Sequence, residues 1–160
     1  MAIYMQIPGI KGDATQGKHV DWIVLQSVEN DVARKISTPV GAGQNREAAE
    51  PEVNDIIVTK KYDSSSVLLF QEATVGLDAK TPVLIHFCRT DQQGDAYLEY
   101  ELTNVLFSKY AVSGDPDDRP TETSGMNFTK IAINEQGPNL KNGNGQPVKA
   151  QYNIATASKS

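Results

Sequence analysis

The chain's only cysteine, Cys88, stands two residues after His86, and His19 is the one other histidine. On a strand, residues i and i+2 share a face, so His86-x-Cys88 would set an imidazole beside a thiol. That pair could begin a zinc site, but third and fourth ligands are missing at any usual spacing. The same three side chains are all that a Cys–His nucleophile could draw on. Cys88 ends an apolar run, Val83-Leu84-Ile85-His86-Phe87-Cys88, where burial raises a thiol's pKa and blunts it. The pattern reads as a buried thiol beside a hydrogen-bonded histidine.

Glu99 and Glu101 also share a strand face, as paired carboxylates of a glycosidase would. Yet Tyr97, Glu99, Glu101 and Thr103 simply alternate with Leu98, Tyr100 and Leu102, which describes a solvated sheet face. Asp115-Pro116-Asp117-Asp118 lacks the spaced oxygens and closing Glu of a calcium loop and reads as a surface turn. The pairs Gly41/Gly43 and Gly143/Gly145 match no phosphate-binding fingerprint. No catalytic set, metal or cofactor emerges. A broad polar face on long strands could instead line a water-filled passage if copies close into a ring, which would also cover exposed sheet edges.

The elements that carry these residues are mostly strands. Period-two alternation marks Ile3 to Ile7, Trp22 to Val28, Val53 to Val58 and Val83 to Cys88. A long run follows from Tyr97 to Val112, with later strands at Met126 to Ile133 and Val148 to Ile154. Asp91 to Asp95 predicts a hairpin turn, with Gly94 taking a positive φ. One helix is expected over Val67 to Thr74, capped from Asp63-Ser64-Ser65-Ser66. Gly76 would end it in the left-handed region. Val67, Phe70 and Ala73 or Thr74 form the stripe expected to pack on the core. Ser37 to Pro51, Gly114 to Pro120 and Asn134 to Pro147 are loops by composition. Strands, one helix, then more strands predict a mainly β fold: a barrel of two packed sheets with a flanking helix and an extended loop. Trp22, Phe70, Phe87, Phe107 and Phe128 are expected to fill its core.

The chain has 160 residues, 39% hydrophobic and 22% charged, with a net charge of −5. That length suits one domain over residues 1–160. Scattered basic residues argue against a nucleic-acid partner. One cysteine allows no intrachain disulfide. Met1 to Pro8 does not read as a signal peptide, and no run approaches the roughly 18 apolar residues needed to span a bilayer. A dedicated export machine would be needed for secretion.

The opening Ala2-Ile3-Tyr4-Met5-Gln6-Ile7-Pro8-Gly9-Ile10-Lys11-Gly12 resembles the start of the haemolysin-coregulated protein (Hcp) family of bacterial type VI secretion. Trp22 to Val28, Thr59-Lys60-Lys61-Tyr62-Asp63, Val83 to Arg89, Tyr97 to Val105, Asn127 to Ile131 and Tyr152 to Thr156 continue the resemblance in order.

The resemblance implies a non-enzymatic subunit whose six copies form a ring. Stacked rings would make the secreted inner tube, with small effector proteins in the lumen and tip and sheath components as partners. The protein would be cytoplasmic before export. Ser37 to Pro51 then corresponds to the extended contact loop, with Pro39, Val40, Gly41, Arg46 and Glu47 at subunit or ring contacts. Tyr97, Glu99, Glu101 and Thr103 are candidates for the lumen or subunit seam. Ser124-Gly125 departs from the family's usual β-branched residue and Ser, and the short Ala132-Ile133-Asn134 segment departs from its longer strand. Both are expected to weaken edge pairing late in the chain. The rival readings are a monomeric β-barrel with an enclosed ligand pocket and a small hydrolase.

Overall fold

The computed structural model describes residues 1–41, 46–90, 94–136 and 147–159. Alternating side chains make its strands. In β1 (Ala2–Gln6) Met5 points into the core, and in β9 (Val83–Cys88) Val83 and Ile85 do. These strands pair within a six-stranded antiparallel sheet in the order β14 (Val148–Asn153), β13 (Lys130–Glu135), β10 (Ala96–Thr103), β9, β1 and β2 (Ile23–Leu25). A second sheet runs β11 (Leu106–Asp115), β12 (Asp118–Asn127), β8 (Ile56–Lys61) and β3 (Ser27–Glu29).

The two sheets face each other. Met5, Ile23, Ile85 and Leu102 from one meet Ile56, Val58 and Met126 from the other, all essentially without solvent contact. The chain passes between sheets at Gln26, whose N–H donates to Thr59 O at 2.7 Å. Packed sheets were expected, but among the described residues no hydrogen-bonded ladder closes them into a barrel: β11 and β14 end their sheets.

Two expected long strands are divided. Asn104 takes φ +55° and sends the Tyr97–Val112 run from β10 in one sheet to β11 in the other. Likewise Met126–Ile133 splits into the end of β12 and β13. The turn expected between Gly114 and Pro120 is the tip of a tight hairpin, with β11 and β12 running almost to it. Pro120 lies where the ladder shifts register, which accommodates its missing N–H.

The segment expected to be an extended loop forms a ribbon over its described residues. β4 (Val32–Ala33) pairs with β7 (Glu52–Val53), and beyond them β5 (Ile36–Ser37) pairs with β6 (Glu47–Ala48). Arg34 Nε donates to Ala49 O at 2.8 Å across it. Gly41 near the tip has φ +83°, and Gly94 has φ +79° as its turn requires. Gly43, Gly143, Gly145, the Asp91–Gln93 part of that turn and most of Asn134–Pro147 lie outside the described residues.

The helix α1 (Ser66–Val75) forms where expected, yet its ends and faces differ. Ser65 makes no side-chain cap, because its hydroxyl and its N–H both bond to Asp63 Oδ1. Gly76 has φ −68°, not a left-handed value. Its lack of a side chain answers a close approach instead: a Cβ there would meet Glu72 O at 2.5 Å. Leu69 is buried, whereas Val67, Phe70 and Val75 are 64%, 54% and 67% exposed. Of the stripe expected to face the core, Ala73 packs against it, whereas Val67 and Phe70 face outward. Phe107 and Phe128 are core residues, Phe87 is half-buried against the core, and Phe70 and Trp22 fill no part of it.

Gly125 does not weaken an edge. It lies inside β12, paired with Ile57 on one side and Lys109 on the other. A Cβ there would sit 2.9 Å from Ser108 Oγ and 3.1 Å from Lys109 Cβ, where β11 shifts register. The close approach of the two strands favours glycine here. Ala132-Ile133-Asn134 also pairs fully, as the middle of β13 between β10 and β14.

Candidate functional site

Cross-strand register brings the sequence's polar candidates onto one face of the six-stranded sheet. Tyr4 of β1 is opposite His86 of β9, and His86 is opposite Glu99 of β10. Glu99 is opposite Asn134, which is opposite Lys149. Asn134 Nδ2 donates to Glu99 Oε2 at 3.2 Å, and Gln136 Nε2 to Glu99 Oε1 at 3.4 Å. Glu101 stands beside them, exposed, opposite Leu84 and Ala132. Thr103 is half-buried at the end of β10, and its carbonyl accepts the Thr129 N–H at 3.0 Å. Tyr97 occupies a β-bulge, which re-aims its ring to lie 5.5 Å from the Arg89 guanidinium. This face is therefore polar but partly engaged.

Part of it is covered by residues 12–22. Sequence spacing separates His19 from His86 and Cys88, but the fold joins all three. His19 Nε2 lies 3.0 Å from His86 Nδ1 and 3.8 Å from Cys88 Sγ. The His19 ring stacks on Tyr4 at 4.6 Å and meets the Trp22 ring edge-on at 4.7 Å. Trp22 also lies 4.6 Å from the His86 ring. Burial lowers the pKa of His19, as do the charges of His86 and Lys18, against an opposing pull from Glu99. Burial lowers that of His86 too, with Glu99 again opposing. Cys88 is pushed up by burial and then by Asp95 and Glu99, so it is a poor nucleophile. Among the described residues no group of three His, Cys, Asp or Glu side chains is arranged to hold a metal.

The contact-loop candidates sit elsewhere, on the ribbon. Pro39, Val40 and Gly41 approach its tip, Arg46 and Glu47 lie on the returning arm, and all five are exposed. Val32, Ile36 and Val40 add exposed apolar side chains along its length. At the ribbon's base a groove of about 240 Å³ is lined by Val32, Val53, Ile131, Ile133 and Tyr152. It is a groove between ribbon and sheet, not the enclosed pocket of a ligand-binding barrel.

Sequence reasoning missed a buried charged cluster beneath the helix start. Lys60 Nζ lies 2.5 Å from Glu122 Oε2, 2.8 Å from Asp63 Oδ1 and 3.0 Å from Ser66 Oγ. Ser66 Oγ donates to Glu122 Oε2 at 2.6 Å, and the Tyr110 hydroxyl donates to Glu122 Oε1. Burial, aided by that hydrogen bond, holds the Tyr110 phenol far above its ordinary pKa. The available signal was phase: Lys60 falls on the same face of β8 as Ile56 and Val58.

Comparison with known proteins agrees with this architecture. A structure described as a type six secretion system protein superposes with TM-score 0.88 at 23% identity, covering 99% of each chain. Hcp1 from Salmonella typhimurium gives 0.79 at 19% identity over 99% of this chain and 98% of its own. A type VI secretion system effector from Yersinia pestis gives 0.77 at 19% identity over 95% and 99%. No curated protein matches by sequence. The family model described as "Type VI secretion system effector, Hcp" matches residues 4–134. With the fold and most of the chain accounted for, the protein belongs to the Hcp family of type VI secretion.

Proposed function

We propose that the chain is a non-enzymatic subunit of a type VI secretion inner tube, six copies closing into a ring and rings stacking end to end. The observation that carries this reading is the ribbon of residues 32–53, whose apolar side chains Val32, Ile36 and Val40 are exposed in the isolated chain. A lone two-stranded ribbon is marginal in water without a surface to pack on, and a neighbouring subunit supplies one. Pro39, Val40, Gly41, Arg46 and Glu47 are then contact residues between subunits or rings.

Among the described residues, β11 and β14 have no strand paired on their outer sides, and the outward helix face bearing Val67, Phe70 and Val75 adds exposed apolar surface. Tyr97, Glu99, Glu101 and Thr103 belong to the lumen or seam, where a polar face suits a wet channel able to hold small effector proteins. Tip and sheath components would contact the assembled tube. Export would proceed from the cytoplasm through the secretion machine.

Mass determination in solution with negative-stain imaging tests the reading. The expected result is open rings of about six times the 17.4 kDa chain mass. A monomer persisting from micromolar to millimolar concentration overturns it.

A further inference from the structure

The hydrogen-bond partners of His19 determine where its proton sits. The backbone N–H of Lys18 donates to Gln16 Oε1 at 3.0 Å, which identifies that atom as the amide oxygen. The same oxygen lies 2.8 Å from His19 Nδ1. An oxygen acceptor there requires His19 Nδ1 to carry hydrogen, so Nε2 of the neutral ring is the acceptor. His86 Nδ1 must then be the donor across the 3.0 Å contact. Cys88 aims its weak S–H donor toward the same lone pair, at 3.8 Å.

We propose that this His19–His86 hydrogen bond is a proton-operated latch, holding residues 12–22 on the polar face of the six-stranded sheet and releasing them when His19 Nε2 takes a proton. The two histidines play unequal parts. His86 accepts its proton at Nε2, leaves its Nδ1–H donating as before, and gains attraction to Glu99 opposite it. A proton on His19 Nε2 instead sets N–H against N–H and cation against cation. Burial of His19 at 3% exposure leaves little water to relieve this.

The groups facing the pair include Tyr4 of β1, Cys88 of β9, Glu99 of β10, Asp95 before β10, and Lys18 on the segment itself. Lys18 and the carboxylates act in opposite directions. Among the described residues, the other side-chain ties of the segment include the exposed pairs Lys18 with Asp95, Lys11 with Asp21 and Ser64 with Asp13, and such contacts are weak fasteners. The latch lies within one chain and stands whether or not rings form.

Trp22 is the only tryptophan and touches both imidazole rings, so its fluorescence reports the pair directly. The experiment follows Trp22 fluorescence, histidine ring resonances and amide exchange of residues 14–22, from about pH 7.5 to about pH 4.5. His86 should protonate first, with little change in exchange. Protonation of His19 should come second, with a fluorescence change and exchange at least about tenfold faster across the segment.

His19→Gln keeps an acceptor near Nε2 that cannot take the proton and should abolish the transition. His86→Asn keeps a donor near Nδ1, removes one positive neighbour, and should move the transition to higher pH. A transition that survives in His19→Gln overturns the proposal, as does a His19 that titrates without releasing the segment or stays neutral throughout. Should His19→Gln fail to fold, the order of titration in the native chain and the shift in His86→Asn decide the matter.

Discussion

Lys60 and Glu122 are direct cross-strand partners on β8 and β12, and their side chains form an ion pair at 2.5 Å with 2% and 0% exposure. Two adjacent core positions that would ordinarily be apolar thus carry opposite charges. Ser66 completes the pair from the first residue of α1, so the cluster fixes where the helix starts on the sheet. The Ser66 hydroxyl is committed to this buried cluster, while Ser65 at the cap position is held by Asp63.

Removing one member should therefore be costly. Glu122→Leu leaves Lys60 its pair with Asp63 and should lose less than Lys60→Met, which strands the carboxylates of both Glu122 and Asp63 and should lose about 3–5 kcal/mol. That corresponds to a melting-temperature fall on the order of 10 °C. The double variant should recover part of the Lys60→Met loss, since Glu122 is then gone and only Asp63 is left without its lysine. Urea unfolding of the two single variants and the double variant checks this, and equal losses in all three would refute it.

The helix should show two unlike faces. Leu69→Ala removes a fully buried side chain and should cost about 2–5 kcal/mol. Phe70→Ser alters an exposed ring whose nearby aromatic contact is Tyr110, at 5.7 Å between centroids. It should change stability by less than about 1 kcal/mol. Thermal unfolding of the isolated chain compares them directly.

Gly125→Val should destabilise, although valine favours strands. Its Cβ would press on Ser108 Oγ and Lys109 Cβ at about van der Waals overlap, and overpacking of this kind costs about 1–3 kcal/mol. A gain in the denaturation midpoint would show that the two strands separate freely.

Val40→Asp should leave the chain's unfolding unchanged, because Val40 is fully exposed near the ribbon tip. If rings form, it should lower the assembled fraction. Unfolding curves and sedimentation on the same sample separate the two effects.

Stability should fall in mild acid. His19 and His86 have lowered pKa values in the folded chain, so between the ordinary histidine value near 6.5 and those lowered values the unfolded chain binds more protons. Their contribution is present in full above about pH 6.5 and is lost as pH drops through the folded values. Urea midpoints measured from pH 8 downward should show this decline, and His19→Gln should flatten it.

Much of the fold was readable along the chain. Alternation located β1, β8, β9 and β10, and Gly94 marked its turn because a positive φ there suits no side chain so well. The grouping of Glu99 with Glu101 followed from the same period of two. Where expectation failed, a distant partner was responsible. Asn104 divided one apparent strand between two sheets, and the helix turned Val67 and Phe70 outward because Leu69, Ser66 and Ala73 met the core.

Family membership, the strand-rich architecture and the protruding segment were thus written in local pattern, since side-chain alternation and turn chemistry act over a few neighbouring residues. The pairing of His19 with His86, of Lys60 with Glu122, and the preference for glycine at position 125 were decided only by tertiary structure. Each depends on which strand lies alongside which and in what register. Hydrogen bonds and close packing act through space, and positions 67 and 62 residues apart become neighbours only after the sheets have formed.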